Sequence, residues 1–230
     1  MSDATLRILR QDAPNRPETR RWEVRAVPPD AVTVADALAA HPEITWDDRC
    51  TWPSCGTCMM VIAGRARPAC STSIARVADG KGVVTLAPLG GLVLRRDLWV
   101  DRERLLDGIA SMSPWLDEPA EPPQREPFAP FARCTRCGAC LDACPEVRAG
   151  GPFVGAAAFG LSHEARALGK DDRRLDAIIA GGIAECGGAN ACADVCPEGL
   201  PLEDALREAT SRATRHAIAR LIGRASRDSE

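Results

Sequence analysis

The cysteines of this 230-residue chain occur at spacings that leave few folds open to it. Cys50, Cys55, Cys58 and Cys70 read C-x4-C-x2-C-x11-C. Cys134, Cys137, Cys140 and Cys144 read C-x2-C-x2-C-x3-C, with Pro145 next. Cys186, Cys192 and Cys196 follow, again with a proline, Pro197, after the last. These three groups use all eleven cysteines. A chain so written must fold its backbone around soft, thiolate-bound metal, and the ligand loops become fixed points of the architecture.

The first spacing is that of a plant-type [2Fe–2S] site, and the second is the bacterial cluster run, whose fourth cysteine ligates the other cluster rather than its own. The expected sets are therefore crossed. Cys50, Cys55, Cys58 and Cys70 hold a [2Fe–2S] cluster. Cys134, Cys137, Cys140 and Cys196 hold a [4Fe–4S] cluster. Cys144, Cys186 and Cys192 remain for a third centre. A cubane there would want a cysteine at position 189, but Ala189 has no sulfur or oxygen to offer. A [3Fe–4S] cluster, which lacks one corner, is the expected occupant. Iron is thus bound through the same cysteines, and no catalytic residue is expected.

Zinc and disulfides are the competing explanations. A lone C-x2-C suits zinc, and Cys134 and Cys137 with Cys192 and Cys196 imitate a zinc ribbon. Zinc needs four ligands per structural site and would strand cysteines here. A disulfide framework needs an oxidising compartment, and the start Met1-Ser-Asp-Ala-Thr-Leu-Arg has no apolar core of a signal peptide. No apolar run approaches the length of a membrane span. The chain is expected in the cytoplasm or on the cytoplasmic side of a membrane. The G-x-G-x-x-G dinucleotide fingerprint is absent.

Within the ligand loops, Gly56 is expected to let the backbone approach the cluster and take torsions a Cβ would forbid. Pro145 is expected at a helix start, where a missing N–H matters little. Arg49, Arg65, Arg67, Arg133 and Arg136 lie beside ligands and are candidates for tuning potentials. Trp52 is a candidate shield for the first cluster. His41, His163 and His216 are isolated, and no role is assigned to them.

Two compositional blocks emerge. Thr5–Leu9 and Arg21–Ala26 alternate like strands. Thr33 starts a short helix through Ala40 with Val34, Leu38 and Ala39 on one face. A strand is expected at Met59–Ile62, a turn at Gly80-Lys81-Gly82 and a strand at Val83–Leu86. Asp101–Met112 reads as a helix, and the proline-rich residues 117–130 as an extended linker. Beyond it, helices are expected at Phe153–Leu168, after Asp172 with Leu175, Ile178 and Ile179 facing inward, and at Leu202–Ile222. Gly181-Gly182 should end the second of these. The fold class is α+β: residues 1–103 form a β-grasp, plant-type ferredoxin domain, and residues 104–230 an all-α helical ferredoxin domain with two clusters. Near the C-terminus Arg212, Arg215, Arg220, Arg224 and Arg227 oppose Ile218, Leu221 and Ile222 on a helix, a face suited to anionic lipid, to a cytochrome subunit or to solvent.

The chain resembles the iron–sulfur subunit of succinate dehydrogenase and fumarate reductase over nearly its full length. The motifs that carry this are Cys50-x4-Cys55-Gly-Thr-Cys58 with Cys70; Arg96-Asp97-Leu98-Trp99-Val100-Asp101; the run Cys134 to Pro145; and Asp194-Val-Cys196-Pro-Glu-Gly-Leu-Pro-Leu202. Phe153-Val-Gly-Ala-Ala-Ala158 and the segment from Ile183 to Cys192 look most like menaquinone-linked members. The resemblance implies partners: an FAD-containing flavoprotein subunit and a membrane cytochrome b anchor with quinone, menaquinone favoured, and no nucleic acid. It implies a route from flavin through the [2Fe–2S], [4Fe–4S] and [3Fe–4S] clusters to quinone at the cytoplasmic face of the inner membrane, with no substrate site on this chain. Two departures stand out. Thr51-Trp52-Pro53-Ser54 replaces the family's usual R-E-G-[IV], and the residues after Pro145 lack the tryptophans of ubiquinone-linked members. A free-standing polyferredoxin carrier and the iron–sulfur subunit of a related flavoprotein oxidoreductase are the alternatives.

Overall fold

The structure, a computed structural model, describes residues 4–49, 55–112, 130–168 and 173–225. The chain divides into two compact units, Met1–Glu103 with Thr135–Ala143, and Arg104–Cys134 with Cys144–Glu230.

The first unit is built on a mixed five-stranded sheet. β1 (Thr5–Arg10) pairs antiparallel with β2 (Arg21–Ala26) and parallel with the later strand β5 (Val83–Ala87). β3 (Met59–Ile62) pairs antiparallel with both β4 (Arg65–Pro68) and β5, giving the order β2-β1-β5-β3-β4. Strand alternation sends Leu6, Ile8, Met60, Ile62, Val84 and Leu86 to one face. The helix α1 (Val34–Ala39) covers that face with Val34, Ala37 and Leu38. Its start is fixed by a capping box in which Thr33 and Asp36 exchange side-chain and backbone hydrogen bonds. Ala37 therefore takes the inward place expected of Ala39, which is exposed. α2 (Ile74–Val77) is one turn that buries Ile74.

A two-stranded ribbon follows, β6 (Val93–Arg96) with β7 (Trp99–Asp101), so Asp101 ends a strand and the helix α3 (Glu103–Ser111) begins two residues later than expected. Between the strands, Asp97 is fully buried in a left-handed conformation. Its carboxylate accepts a forked pair of bonds from Arg10, both 3.1 Å, and backbone N–H bonds from Gln11 and Thr45. The Arg-Asp-Leu motif is thus a structural hub, and Arg10 is almost as buried as its partner. The helix α4 (Ala139–Ala143) packs in this unit because buried Asp142 accepts the backbone N–H groups of Gly90 and Gly91. Gly91 lies so close that a Cβ would meet the Leu141 carbonyl oxygen at 2.5 Å.

The second unit is helical among its described residues. α5 (Pro145–Arg148) has Pro145 in its first turn, as expected. α6 (Ala156–Leu168) starts three residues later than the pattern suggested, and α7 (Arg173–Ala180) stops at Gly181-Gly182, with Gly182 left-handed. Ile178 is buried but Ile179 is 41% exposed, which corrects its inward assignment. α8 (Ala191–Asp194) is one turn, and α9 (Leu202–Ala225) runs long. Leu202, Ala205, Leu206, Ala209 and Ala213 give α9 a buried stripe at helical spacing. Phe153 stacks on Phe159 with ring centroids 5.2 Å apart. Asp176 joins α7 to α9 through His216 and Arg220, at 3.1 and 2.7 Å. The expected linker falls almost wholly outside the described residues, as do Asp172, Trp52 and Arg227.

Candidate metal centres

The thiols of the first unit are carried by the sheet. Cys58 immediately precedes β3, and its carbonyl accepts the Ala69 N–H across the β3–β4 hairpin at 3.1 Å. That closure brings Cys70 back beside it, and the two sulfurs stand 3.4 Å apart with both thiols free. A disulfide would place them near 2.05 Å, whereas two thiolates bonded at about 2.3 Å to one tetrahedral metal stand about 3.8 Å apart. The pair therefore fits a shared iron. Burial, aided by the neighbouring Cys58 thiol, pushes the Cys70 thiol up to about 11. Such a thiol keeps its proton at neutral pH until a metal replaces it.

Cys55 completes what is described of this loop. The Thr57 N–H points to its sulfur at 3.5 Å, and the Thr57 hydroxyl lies 3.1 Å away. Donors of this kind around a ligand sulfur influence cluster potential. Gly56 between them has φ +72°, as its sequence place suggested. The reason goes beyond torsion: a Cβ there would meet the Thr135 carbonyl oxygen at 2.7 Å and the Cys137 Cβ at 3.0 Å. Cys50, the remaining expected ligand, lies outside the described residues.

Of the second set, Cys137 and Cys140 are buried in the first unit, Cys140 within α4. Cys134 belongs to the second unit, where its N–H bonds the Phe131 carbonyl at 2.9 Å, and so does Cys196, tied to Ala193 at 3.2 Å.

The third set comes together wholly within the second unit. Cys144, Cys186 and Cys192 line one cavity, with Phe153 and Leu206 as apolar wall. Ala189 lines the same cavity and presents only a methyl group where a fourth ligand would stand. Burial, with the adjacent Cys186 and Cys144 sulfurs, pushes the Cys192 thiol up to about 11. Asn190, left-handed, turns the chain so that α8 begins beside the cavity. Glu146 and Asn190 also line the cavity, but its three thiols suit a soft, iron-based centre lacking one corner. Among the described residues no three Cys, His, Asp or Glu side chains converge on a single metal ion.

One functional residue escaped the sequence. Arg102, 13% exposed, donates from Nη2 to the Thr57 carbonyl at 2.6 Å and the Gly56 carbonyl at 3.3 Å. Its Nε faces the Cys137 carbonyl at 3.4 Å and its Nη1 faces Asp47 at 3.5 Å. Its place directly after the Arg96–Asp101 motif was the available signal. Of the expected tuning arginines, Arg49 grips Asp47 with two bonds of 3.0 Å, and the buried Nε of Arg67 makes no hydrogen bond.

Residues 5–107 match the 2Fe-2S iron-sulfur cluster binding domain family, and residues 130–200 match the 4Fe-4S dicluster domain family. The chain is 31% identical over 174 residues to the succinate dehydrogenase iron-sulfur subunit of Bacillus subtilis, covering 69% of this chain and 68% of that one. It is 30% identical over 224 residues to the fumarate reductase iron-sulfur subunit of Wolinella succinogenes, covering 86% and 92%. Its fold superposes on a chain of the Mycobacterium smegmatis Sdh1 complex in the apo form with a TM-score of 0.76 at 23% identity, covering 93% and 96%.

Proposed function

The chain belongs to the family of iron–sulfur subunits of succinate dehydrogenase and fumarate reductase, and on that premise we propose that it is the electron relay between a flavoprotein subunit and quinone at a membrane anchor. When bound, its clusters accept and release single electrons, and the protein forms or breaks no substrate bond. The ligand sets we assign are Cys50, Cys55, Cys58 and Cys70 for [2Fe–2S]; Cys134, Cys137, Cys140 and Cys196 for [4Fe–4S]; and Cys144, Cys186 and Cys192 for [3Fe–4S]. In functional terms the chain then divides near residue 103, a one-cluster module preceding a two-cluster module.

The observation that carries this reading is the cavity lined by Cys144, Cys186, Cys192 and the methyl of Ala189. It supports a third centre with three protein ligands, as a relay of three unlike clusters requires. The residues around the thiols do the protein's work. They bury the sulfurs, aim N–H groups at them as Thr57 does at Cys55, and exclude water with Phe153 and Leu206.

Among the described residues no helix is long and apolar enough to cross a membrane, so contact with a bilayer falls to the anchor subunit. Menaquinone is the quinone we favour. Pro145 is followed by Glu146, Val147, Arg148 and Ala149, with no tryptophan. The cytoplasmic face is the side we assign.

The test is spectroscopic. Anaerobically prepared protein should contain about nine irons per chain, with an EPR signal in the oxidised state from the [3Fe–4S] centre alone. Ala189→Cys supplies the missing ligand and should abolish that oxidised signal while iron content rises. A parent protein with no oxidised signal, or with far fewer irons, rejects the assignment. Purification as a lone carrier without flavoprotein would favour the polyferredoxin alternative.

A further inference from the structure

We infer that Arg102 is a positioning residue: it stitches the ligand loop of the [2Fe–2S] centre to the ligand run of the [4Fe–4S] centre and so fixes the gap an electron crosses between them. The inference rests on the ligand assignment proposed above.

The argument starts from which atoms Arg102 touches. Gly56 and Thr57 are the two residues between Cys55 and Cys58, and Cys137 is itself an assigned ligand. A single guanidinium therefore reaches carbonyl oxygens on both ligand segments. The Thr57 bond is short, and the Gly56, Cys137 and Asp47 contacts lie at or beyond the long end of the hydrogen-bonding range. A planar fork with five donors can serve three carbonyls and a carboxylate at once, and an ammonium cannot.

These contacts act on the sulfurs through the planarity of the peptide. In a trans peptide the C=O and the following N–H point in opposite directions. With the Gly56 carbonyl turned to Arg102, the Thr57 N–H is turned the other way, and it lies 3.5 Å from the Cys55 sulfur. Arg102 thus holds one end of the peptide whose other end faces a ligand. Gly56 supplies independent support, because its missing Cβ lets the two ligand segments meet, with the Thr135 carbonyl oxygen, the Thr135 hydroxyl and the Cys137 Cβ in the space.

Charge works in the same direction. Burial pulls the Arg102 guanidinium down, and Asp47 with the Cys137 and Cys58 sulfurs pull it back up. An arginine stays protonated throughout. Burial pushes the Asp47 carboxyl up, but hydrogen bonds from Arg49 and the charges of both arginines outweigh it and hold it below the usual carboxylate range. Asp47 and Asp48 offset the charges of Arg49 and Arg102, and within that balanced group it is the positive charge of Arg102 that lies against the two ligand segments. That charge favours the reduced, more negative state of either centre. One electron leaves one centre and enters the other, and Arg102 neither gains nor loses a proton.

The test is a redox titration followed by EPR in the full-length chain within its complex, comparing the parent with Arg102→Met and Arg102→Lys. In Arg102→Met the electron equilibrium of the [2Fe–2S] couple should shift at least tenfold toward the oxidised form, which is 59 mV for one electron. The magnetic broadening between the reduced [2Fe–2S] and [4Fe–4S] centres should also change. Arg102→Lys keeps the charge and loses the bridge, so it should recover part of the potential while the broadening stays altered. If the methionine variant does not assemble, the lysine variant decides on the broadening. Either variant carrying its full iron, titrating within twofold of the parent and showing unchanged broadening overturns the inference. Absence of a reduced [2Fe–2S] signal from the parent rejects the ligand assignment instead, and with it this inference.

Discussion

The two units hold their thiols by different means. In the first, Cys58 abuts β3 and Cys70 follows β4, so a hydrogen-bonded hairpin sets their 3.4 Å separation. Around them stand a capped helix, the Asp97 hub and the Arg102 contacts. In the second, the thiols sit on single turns. Cys144 caps the four-residue α5, Cys186 follows a three-residue 3-10 turn at Ile183–Glu185, and Cys192 lies in the four-residue α8. Helices that short are not stable alone in water. The turns that carry Cys186 and Cys192 rest on α9, and the first of them on α7 as well, but none of the three ligand-bearing turns is tied into a strand ladder. The difference teaches that one site is held ready by a sheet, whereas the other is completed by what it binds.

Removing iron anaerobically is the sharpest way to break that comparison. Hydrogen exchange on the full-length chain should show little change at β3 and β4. The amides of Ala193, Cys196 and Gly199, each bonded to a carbonyl three residues back, should exchange faster by on the order of a hundredfold. Equal acceleration in both regions would mean that the hairpin, too, is organised by its metal.

How far these features were legible depends on what carries them. Alternating apolar residues announced β1 and β2, the apolar stretch Met59–Ile62 matched β3, and the cysteine spacings announced three centres because inorganic geometry dictates them. β4 was missed, since Arg65-Ala66-Arg67-Pro68 is short and carries two charges, and is a strand only through its partner β3. The ribbon of β6 and β7 was missed for the same reason, and it displaced the start of α3. Ala39 and Ile179 sit at plausible helical spacings, yet tertiary packing chose Ala37 and Ile178. Arg102 had only its place after the Arg96–Asp101 motif to mark it, for a deeper reason. Its partners are mainly backbone carbonyls, which any residue type provides, so no pattern of side chains marks them.

The next largest effect is expected in the first unit, at Asp97→Ala. The change strips buried Arg10 of its forked partner and leaves the Gln11 and Thr45 N–H groups without their acceptor. Removing one member of a buried pair is strongly destabilising, by about 3–5 kcal/mol. Arg10 keeps Glu23 and the Glu43 carbonyl, which argues for the lower end. The slowest amides of β1 and β5 should then exchange at least about a hundredfold faster. A change of less than tenfold would show that the ribbon motif is not what holds this unit together.

A smaller effect tests the second unit away from its metal. Gly160 lies inside α6, and a Cβ there would meet the Phe131 ring at 2.2, 2.5 and 3.0 Å. Helix propensity alone favours alanine over glycine by about 1 kcal/mol. Overpacking a filled core opposes it by about 1–3 kcal/mol. The ring has little room to yield, because Phe131 is fully buried and its edge rests on His163. Gly160→Ala should therefore lower stability by about 1 kcal/mol net. The strain also has a direction: the Phe131 carbonyl anchors the Cys134 N–H at 2.9 Å, so a displaced ring disturbs an assigned ligand. Hydrogen exchange at α6 and α9 measures the first effect, and the line shape of the reduced [4Fe–4S] signal reads the second. A stabilised α6 with an unchanged signal would mean that the helical unit repacks freely, and that its tolerance, not its thinness, separates it from the sheet.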